Sequence, residues 1–250
     1  MKSILSRKNS VLTHLKRLSS DSGYRAQCGE FVCDGTKMLA DALKSGAEVV
    51  CVVTSDAEFS MDVSGAAVYL VPDDVLGSVS YLKTTRDVLF SCKLPQIGAE
   101  DILGGSAIIL DGIQDPGNVG TILRSANAFG FDFVVLVGNC ADPYNPKTVR
   151  ASMGAIFRQH FYKTDYDFIA ELVSRGAVIC GAAVSEGCVP VTEADLKGKL
   201  PAIGSEGGGL SERLLSLCAE KIKIPMAEGC ESLNAAVAAS ILMWKASTEI

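Results

Sequence analysis

Residues 107–137 have the sequence Ala107-Ile-Ile-Leu110-Asp-Gly-Ile-Gln-Asp-Pro-Gly-Asn118-Val-Gly-Thr-Ile-Leu-Arg124-Ser-Ala-Asn-Ala-Phe-Gly-Phe-Asp-Phe-Val-Val-Leu-Val137. The first four residues predict a buried strand, which the Pro-Gly turn ends. Apolar residues then recur with the helical period, so we predict a helix over Val119–Phe129 with Asn118 as its N-cap. Phe131–Val137 predicts a second strand. A strand, a helix and another strand in this order indicate a parallel sheet.

The same alternation continues to the end of the chain and predicts an α/β fold. The further predicted strands are Val178–Val184, Pro201–Ile203 and Lys221–Ile224, and the further predicted helices are Phe168–Ser174, Ser211–Leu217 and Glu231–Lys245. Ligands of parallel sheets bind at the carboxyl ends of the strands. We therefore expect the functional loops at that edge of the sheet.

The first hundred residues predict a separate, smaller α/β domain. Its predicted helices are one around Val11–Leu18 and one over Gly35–Lys44, and its predicted strands are Glu30–Cys33, Val49–Val53, Ala66–Val71 and Val88–Leu94. A segment rich in Pro, Gly and acidic residues follows, with no strong periodicity. We predict a domain over residues 1–95, a linker over 96–105 and a second domain over 106–250.

Composition excludes several classes of protein. Hydrophobic residues make up 48% of the 250 residues and charged residues 21%, which is typical of a globular chain. The longest apolar stretch, Ala235–Trp244, is half the length that a membrane span needs, and the first ten residues lack the apolar core of a signal peptide. We expect a cytoplasmic protein. The nine cysteines contain no Cys-x-x-Cys pair and only two histidines are present, so we expect buried thiols and no metal site.

The charge is unevenly distributed. The net charge is −6, yet residues 1–27 carry +5 and the remainder −11. An acidic total argues against a protein that coats nucleic acid. The basic N-terminal stretch is either a local phosphate-binding face or a solvated helix face, and charge alone leaves both open.

Three segments near the predicted carboxyl edge carry residues that packing does not require: Leu110–Gly130, Pro201–Arg213 and Ile222–Leu242. The second contains three consecutive glycines, which let a ligand approach the backbone, but it matches neither the dinucleotide fingerprint nor the P-loop. Ser211 is expected to start the next helix. Ser232 or nearby acidic residues are expected to cap the last helix. Taken alone, Arg124 is also consistent with an ordinary surface arginine.

Together the three segments resemble the motifs of the SpoU-type (TrmH-like) RNA ribose methyltransferases of the SPOUT superfamily. The matching patterns are Asn118-x-Gly-x-x-x-Arg124, Gly204-x-Glu-Gly-x-Gly209-Leu and Ile224-Pro-Met-x-x-x-x-x-Ser-Leu-Asn234, with Pro146–Phe157 similar to the intervening segment. Arg25, Gly29–Phe31 and Gly35–Leu39 resemble the family's small substrate-binding domain more loosely. The resemblance extends over most of the chain.

The resemblance implies a C-terminal parallel-sheet domain with a trefoil knot, a homodimer formed through that domain, and S-adenosylmethionine as cofactor. The residues it implies for cofactor binding are Gly204, Ser205, Glu206, Gly207, Ile224, Met226, Ser232, Leu233 and Asn234. The catalytic residues it implies are Asn118, Arg124, Glu206, Ser232 and Asn234. Ser205 stands where many relatives have Asn, and Lys37 where Arg is common.

The implied reaction transfers a methyl group from a sulfonium to a ribose 2′-hydroxyl of RNA. Because arginine is effectively always protonated, we expect Arg124 to hold phosphate and stabilise developing negative charge rather than act as a base. Arg25, Lys37, Lys147 and Arg150 are expected to bind RNA, and large-subunit ribosomal RNA is favoured over transfer RNA. The alternatives are a catalytically silent RNA-binding or ribosome-assembly factor and, ranked last, a nucleotide-dependent enzyme.

Overall fold

The computed structural model describes residues 1–63, 65–80, 88–95, 102, 104–185 and 187–248. Its helices are α1 (Ser10–Ser20), α2 (Ser22–Cys28), α3 (Thr36–Lys44), α4 (Asp73–Val79), α5 (Pro116–Ala128), α6 (Pro146–Ala151), α7 (Tyr166–Ser174), α8 (Glu212–Leu215) and α9 (Ala235–Ser247), with a 3-10 turn over Ala155–Phe157. Its strands are β1 (Lys2–Ser3), β2 (Glu30–Asp34), β3 (Val49–Thr54), β4 (Ala67–Leu70), β5 (Val88–Lys93), β6 (Ala107–Asp111), β7 (Phe133–Val137), β8 (His160–Lys163), β9 (Ile179–Ala182), β10 (Val189–Pro190), β11 (Leu200–Gly204) and β12 (Glu220–Lys223). Most of the predicted linker, 96–105, lies outside the described residues.

The chain divides into two compact units, of which the first contains residues 1–96 together with 142–157. Its five-stranded sheet has the order β1-β4-β3-β5-β2, with β5 antiparallel to both of its neighbours and the other pairs parallel. Helix α1 presents Leu12, Leu15 and Leu18 to the core at helical spacing. The predicted boundaries at 95 and 106 stay a prediction.

The second unit, residues 97–141 and 158–250, has a seven-stranded sheet in the order β10-β12-β9-β11-β6-β7-β8. Every neighbouring pair is parallel. Strands β6, β7 and β11 are buried along their whole length, because helices cover both faces of a parallel sheet. The predicted parallel α/β sheet is confirmed, and the trefoil knot stays a prediction.

Two helix starts differ from the prediction. The N-cap of α5 is Asp115, whose carboxylate accepts the Asn118 N–H at 2.8 Å, and Pro116 occupies the first helical turn, where its missing N–H costs nothing. Asn118 is therefore wrong as the N-cap. Helix α9 is capped by Asn234, not by Ser232 or an acidic residue. Both changes matter for function, because they decide where the two asparagine side chains point.

The other predicted elements are present with ends shifted by a few residues, and the predicted start of α8 at Ser211 is confirmed. The helices that sequence periodicity missed, α2, α4 and α6, contain seven residues or fewer, so they span too few turns for a clear period. Among the described residues, no helix is long and apolar enough to cross a membrane.

Candidate cofactor and substrate site

A cavity of about 540 Å³ opens at the carboxyl ends of β9, β11 and β12. Eight residues that the sequence suggested for cofactor binding line it: Gly204, Ser205, Glu206, Gly207, Ile224, Met226, Ser232 and Leu233. The volume is within the range of sites that bury a small molecule. The segments after β11 and β12 thus meet at one place, although about twenty residues separate them in sequence.

The glycine-rich loop after β11 is folded tightly back on itself. The Ser205 and Gly209 backbones exchange two hydrogen bonds, at 3.0 and 2.8 Å. A Cβ on Gly204 would lie 1.9 Å from the carbonyl carbon of Gly209, so no other residue fits there. Gly209 itself has φ +64°, in the left-handed region that glycine favours. The glycines therefore shape the loop, and a phosphate is not needed to explain them.

Three polar side chains from separate elements meet next to the cavity. Asn118 on α5 and Asn234 at the start of α9 both donate to Oε1 of Glu206, and the Asn234 bond is 3.1 Å long. Asn234 also donates to Oδ1 of Asn118 at 3.0 Å. Its own Oδ1 accepts the backbone N–H groups of Ala236 and Val237, so the amide group of Asn234 is fully bonded. We call these three residues the amide–carboxylate cluster.

Glu206 belongs to both the cavity and the amide–carboxylate cluster. It lines the cavity, and its side chain is exposed, whereas Asn118 is buried. Its Oε2 has no hydrogen-bond partner among the described residues. The cluster therefore holds one carboxylate oxygen in place and leaves the other available at the cavity.

The donor set of the cavity fits a cationic cofactor with an apolar ring system. Its walls combine apolar side chains such as Leu210 and Leu233 with the exposed carboxylates of Glu206 and Glu231. Lys221 also lines the cavity. S-adenosylmethionine carries a sulfonium and an ammonium against one carboxylate, so its net charge is positive. The residues present fit this molecule better than a phosphate, which basic groups would have to balance.

The segment Ala182–Ser185, at the carboxyl end of β9, also lines the cavity and was not predicted from the sequence. It has no glycine run and no charge that would mark it. Its signal is positional, because the residue that ends any central parallel strand lies at the ligand-binding edge. The predicted strand Val178–Val184 already ended there.

Arg124 lies elsewhere on α5 and joins neither the cavity lining nor the cluster. It follows Asn118 by six residues, which is about 9 Å along the helix axis. Its side chain is exposed, and none of the described residues pairs with its guanidinium. Its donors are therefore available to a partner from outside this chain.

The residues expected to bind RNA have different environments. Lys37 on α3, and Lys147 and Arg150 on α6, are exposed. Arg25 is 4% exposed, and its guanidinium donates to Asp142 at 2.5 and 3.0 Å and to the Leu18 carbonyl at 2.6 Å. The guanidinium of Arg25 is thus turned inward to these acceptors, unlike the three exposed cations, and its role in RNA binding stays a prediction.

The cysteines are free thiols, and most of them are buried. Burial raises the pKa of Cys180 to about 11 and that of Cys218 to about 11. Within the part of the chain that the structure describes, no group of three metal-ligating side chains is found.

A parallel sheet with a loop-lined cavity at its carboxyl edge defines a ligand-binding α/β domain, and the comparisons specify the family. The chain belongs to the SpoU rRNA methylase family, whose model matches residues 105–244. A model described as an MRM3-like substrate binding domain matches residues 9–89. The family resemblance of the sequence motifs is thereby confirmed.

Individual relatives match along nearly the whole chain. The 23S rRNA (guanosine(2553)-2′-O)-methyltransferase RlmP of Bacillus subtilis is 30% identical and matches 98% of each chain. The 23S rRNA (uridine(2479)-2′-O)-methyltransferase of Streptomyces viridochromogenes is 27% identical over 96% of this chain and 90% of its own. The AdoMet-bound rRNA methyltransferase of Sinorhizobium meliloti superposes with a TM-score of 0.90 at 26% identity, over 100% of this chain and 98% of its own.

Proposed function

We propose that this protein is an S-adenosylmethionine-dependent RNA 2′-O-ribose methyltransferase that acts on ribosomal RNA. The observation that carries the proposal is Glu206, which lines the cavity and is held by the two asparagines of the amide–carboxylate cluster. The names of the relatives support the substrate: two of them modify 23S ribosomal RNA at the 2′ position.

The cofactor-binding residues are assigned by their place in the cavity. When bound, S-adenosylmethionine supplies a methyl group on a positively charged sulfur. The backbone at Gly204, Ile224, Met226 and Leu233 would hold its adenosine, and the small side chains of Ser205 and Ser232 would leave room for it. Asn234 acts from outside the cavity lining by holding Glu206.

The chain's own contribution to the reaction is to position the ribose hydroxyl and to stabilise charge. Oε2 of Glu206 accepts a hydrogen bond from the ribose 2′-hydroxyl, whose proton leaves to solvent as the oxygen takes the methyl group, while Asn118 and Asn234 hold Oε1. Arg124 binds the neighbouring phosphate and stabilises the developing alkoxide, because a permanently charged guanidinium does this better than it accepts a proton. Holding the reacting atoms near contact can supply several kcal/mol of the barrier reduction, about 7 to 11 at most.

RNA is held by exposed cations of the first compact unit. Lys37, Lys147 and Arg150 all belong to this unit and are exposed, although the total charge is −6. We propose that residues 1–95 form the RNA-binding domain, 96–105 the linker and 106–250 the methyltransferase domain with its trefoil knot. Lys147 and Arg150 belong to the third of these segments but lie in the same compact unit as residues 1–95. The location that fits ribosomal RNA as substrate is the cytoplasm.

We further propose that the protein is a homodimer formed through α5 and α9. A groove between these helices is lined by Thr121, Ser240 and Ile241 together with the exposed Val237 and Trp244. Exposed apolar surface of this kind is typical of an interface. A second copy seated there would lie beside Asn118 and Asn234, which line the same groove. Light scattering should give twice 26.3 kDa at micromolar concentration, and a monomer mass would contradict the dimer.

The test of function is a comparison of ribosomal RNA from cells with and without the gene, followed by methylation of the unmodified RNA in vitro. We expect one 2′-O-methyl site to be missing in the deletion strain and to be restored by the purified protein with S-adenosylmethionine. Calorimetry that showed no affinity for S-adenosylmethionine would contradict the proposal and favour a silent RNA-binding factor.

A further inference from the structure

A buried carboxylate that the proposed reaction does not use lies directly beneath the glycine-rich loop. Asp111 is the last residue of β6 and is 3% exposed. In the sheet it is paired with Gly204, the residue from which the loop departs. Burying a carboxylate is unfavourable unless it is fully hydrogen-bonded, so its partners indicate why it is retained.

Both oxygens of Asp111 are used, and each binds a different element. Oδ2 accepts the backbone N–H of Ser211 at 2.7 Å, and Oδ1 accepts the Tyr166 hydroxyl at 2.7 Å. Ser211 is the first residue after the glycine-rich loop and the N-cap of α8. Asp111 therefore ties the far end of the loop to the strand next to the one where the loop begins.

The surroundings of Asp111 show that this arrangement is tightly packed. A Cβ on Gly138 would lie 2.7 Å from the Tyr166 hydroxyl and 3.3 Å from Oδ1 of Asp111. Burial raises the pKa of Tyr166, and the carboxylate adds to the rise, so the phenol stays protonated and donates. Among the described residues, no ammonium or guanidinium forms an ion pair with Asp111. Both bonds are charge-assisted and stronger than bonds between neutral groups.

The two ends of the loop are thus fixed by different means. The Ser205–Gly209 backbone bonds close the turn of the loop on itself, and Asp111 holds the residue that follows Leu210 to the sheet. Leu210 and Glu206 both line the cavity. If the second attachment is lost, the loop can open while the sheet below it remains intact.

We infer that Asp111 is a positioning residue that holds the glycine-rich loop in its cofactor-binding shape through Ser211 and Tyr166. The inference rests on the proposed function, in which this cavity holds S-adenosylmethionine. Asp111 does not line the cavity and acts through the loop, so its effect is on affinity for the cofactor rather than on the chemical step.

The test is Asp111→Asn, measured by calorimetry with S-adenosylmethionine and by methylation kinetics. The amide nitrogen of Asn would face a donor, so one attachment is lost and the other weakened. We expect the Kd for S-adenosylmethionine to rise about tenfold, while kcat at saturating cofactor stays within about threefold of the unsubstituted protein.

A matched control is Asp132→Asn at the opposite edge of the same sheet. Asp132 also accepts a backbone N–H and a hydroxyl, both from Ser106, at 2.8 and 2.9 Å. Ser106 lies five residues before Asp111 along the chain, so about 16 Å of strand separates the control site from Asp111. Asp132→Asn should leave the Kd unchanged, even where it lowers thermal stability.

The outcomes separate the inference from the proposed function. If the unsubstituted protein binds S-adenosylmethionine and Asp111→Asn binds it equally well, or if Asp132→Asn weakens binding as much, the positioning role is wrong and the function stands. If the unsubstituted protein does not bind it, both are wrong. Should Asp111→Asn fail to fold, Tyr166→Phe removes one bond and keeps the carboxylate. It should raise the Kd about threefold, and an unchanged Kd would overturn the inference.

Discussion

Two glutamates, one in each compact unit, are held by several hydrogen bonds but serve different ends. Glu30 in the first unit accepts from Lys93 at 2.9 Å, His14 at 3.1 Å and Ser91 at 3.2 Å, and it is buried. Glu206 in the second unit accepts from Asn118 and Asn234 on one oxygen only, and it is exposed.

The difference lies in what each carboxylate has left for a ligand. Glu30 has a cation, a histidine and a hydroxyl as partners, so both of its oxygens are used inside the protein. Neutral amides hold Glu206 by Oε1 and leave its charge unpaired within the described part of the chain, at a residue that lines the cavity. A carboxylate held by amides beside a cavity is available for chemistry, whereas one that is paired and buried stabilises the fold.

Among the substitutions that test this comparison, Glu206→Gln is expected to have the largest effect on the methylation rate. Gln still accepts from the two asparagines, so the fold is kept, but the negative charge at the cavity is lost. We expect the methylation rate on ribosomal RNA to fall about a hundredfold, or about 2.7 kcal/mol. Glu228→Gln, at an exposed position in the loop after β12, is the control and should keep the full rate. Equal rates for the two variants would contradict the role of Glu206.

Arg124→Ala is expected to have the next largest effect. Because Arg124 does not line the cavity, the cofactor affinity measured by calorimetry should be retained. The methylation rate should fall at least tenfold, about 1.4 kcal/mol, since the charge that we propose to stabilise the alkoxide is gone. Unchanged turnover would show that Arg124 is an ordinary surface arginine.

Glu30→Gln should reduce stability by about 1 kcal/mol at pH 7 and leave kcat unchanged. A fall in kcat would contradict the contrast between the two glutamates. Burial raises the pKa of Glu30, but the hydrogen bonds from Lys93 and His14 outweigh it, so the pKa lies below the ordinary 4.5. The stabilisation is therefore present above the unfolded-state pKa and is lost as the pH falls through the folded-state pKa. Thermal melts from pH 7 to pH 3 should show the Tm difference between Glu30→Gln and the unsubstituted protein shrinking with acidity.

The smallest effect is expected from the double substitution of Lys147 and Arg150 by Ala. RNA affinity should fall about threefold, and the slope of log affinity against log salt should become shallower by about 0.7 to 0.9 for each lost phosphate contact. Lys197→Ala is the control, because this exposed lysine lies before β11 at the amino edge of the sheet. A slope of log affinity against log salt equal to that of the control would show that α6 does not contact RNA phosphates.

Sequence reasoning recovered the fold where signals are local and long. The buried runs of β6 and β7 and the apolar face of α5 are readable within about twenty residues. It missed short helices such as α2 and α6. It also assigned the wrong N-cap residues to α5 and α9, because several residues within three or four positions can each serve as an N-cap. Asp115 and Ser232 both have side chains that can cap a helix. The backbone geometry makes Asp115 the N-cap of α5, but it makes Asn234 rather than Ser232 the N-cap of α9.

The sequence identified most residues of the candidate site but not how they are arranged in space. The motif residues of the glycine-rich loop and of the loop after β12 line one cavity, as the resemblance implied they would. The placement of Arg25 could not be predicted, because its partner Asp142 is 117 residues away and lies in a segment that the sequence assigned to the other domain. The same holds for Asp111, whose partner Ser211 is 100 residues away.

The amino-acid sequence by itself determined the alternation of strands and helices, the parallel sheet and the set of polar residues at its carboxyl edge, because hydrophobic period and turn chemistry act over a few residues. The tertiary structure alone decided which carboxylates face a cavity and which are buried with partners. Strand order sets those distances, and it brings together residues such as Asn118 and Asn234 that are 116 positions apart.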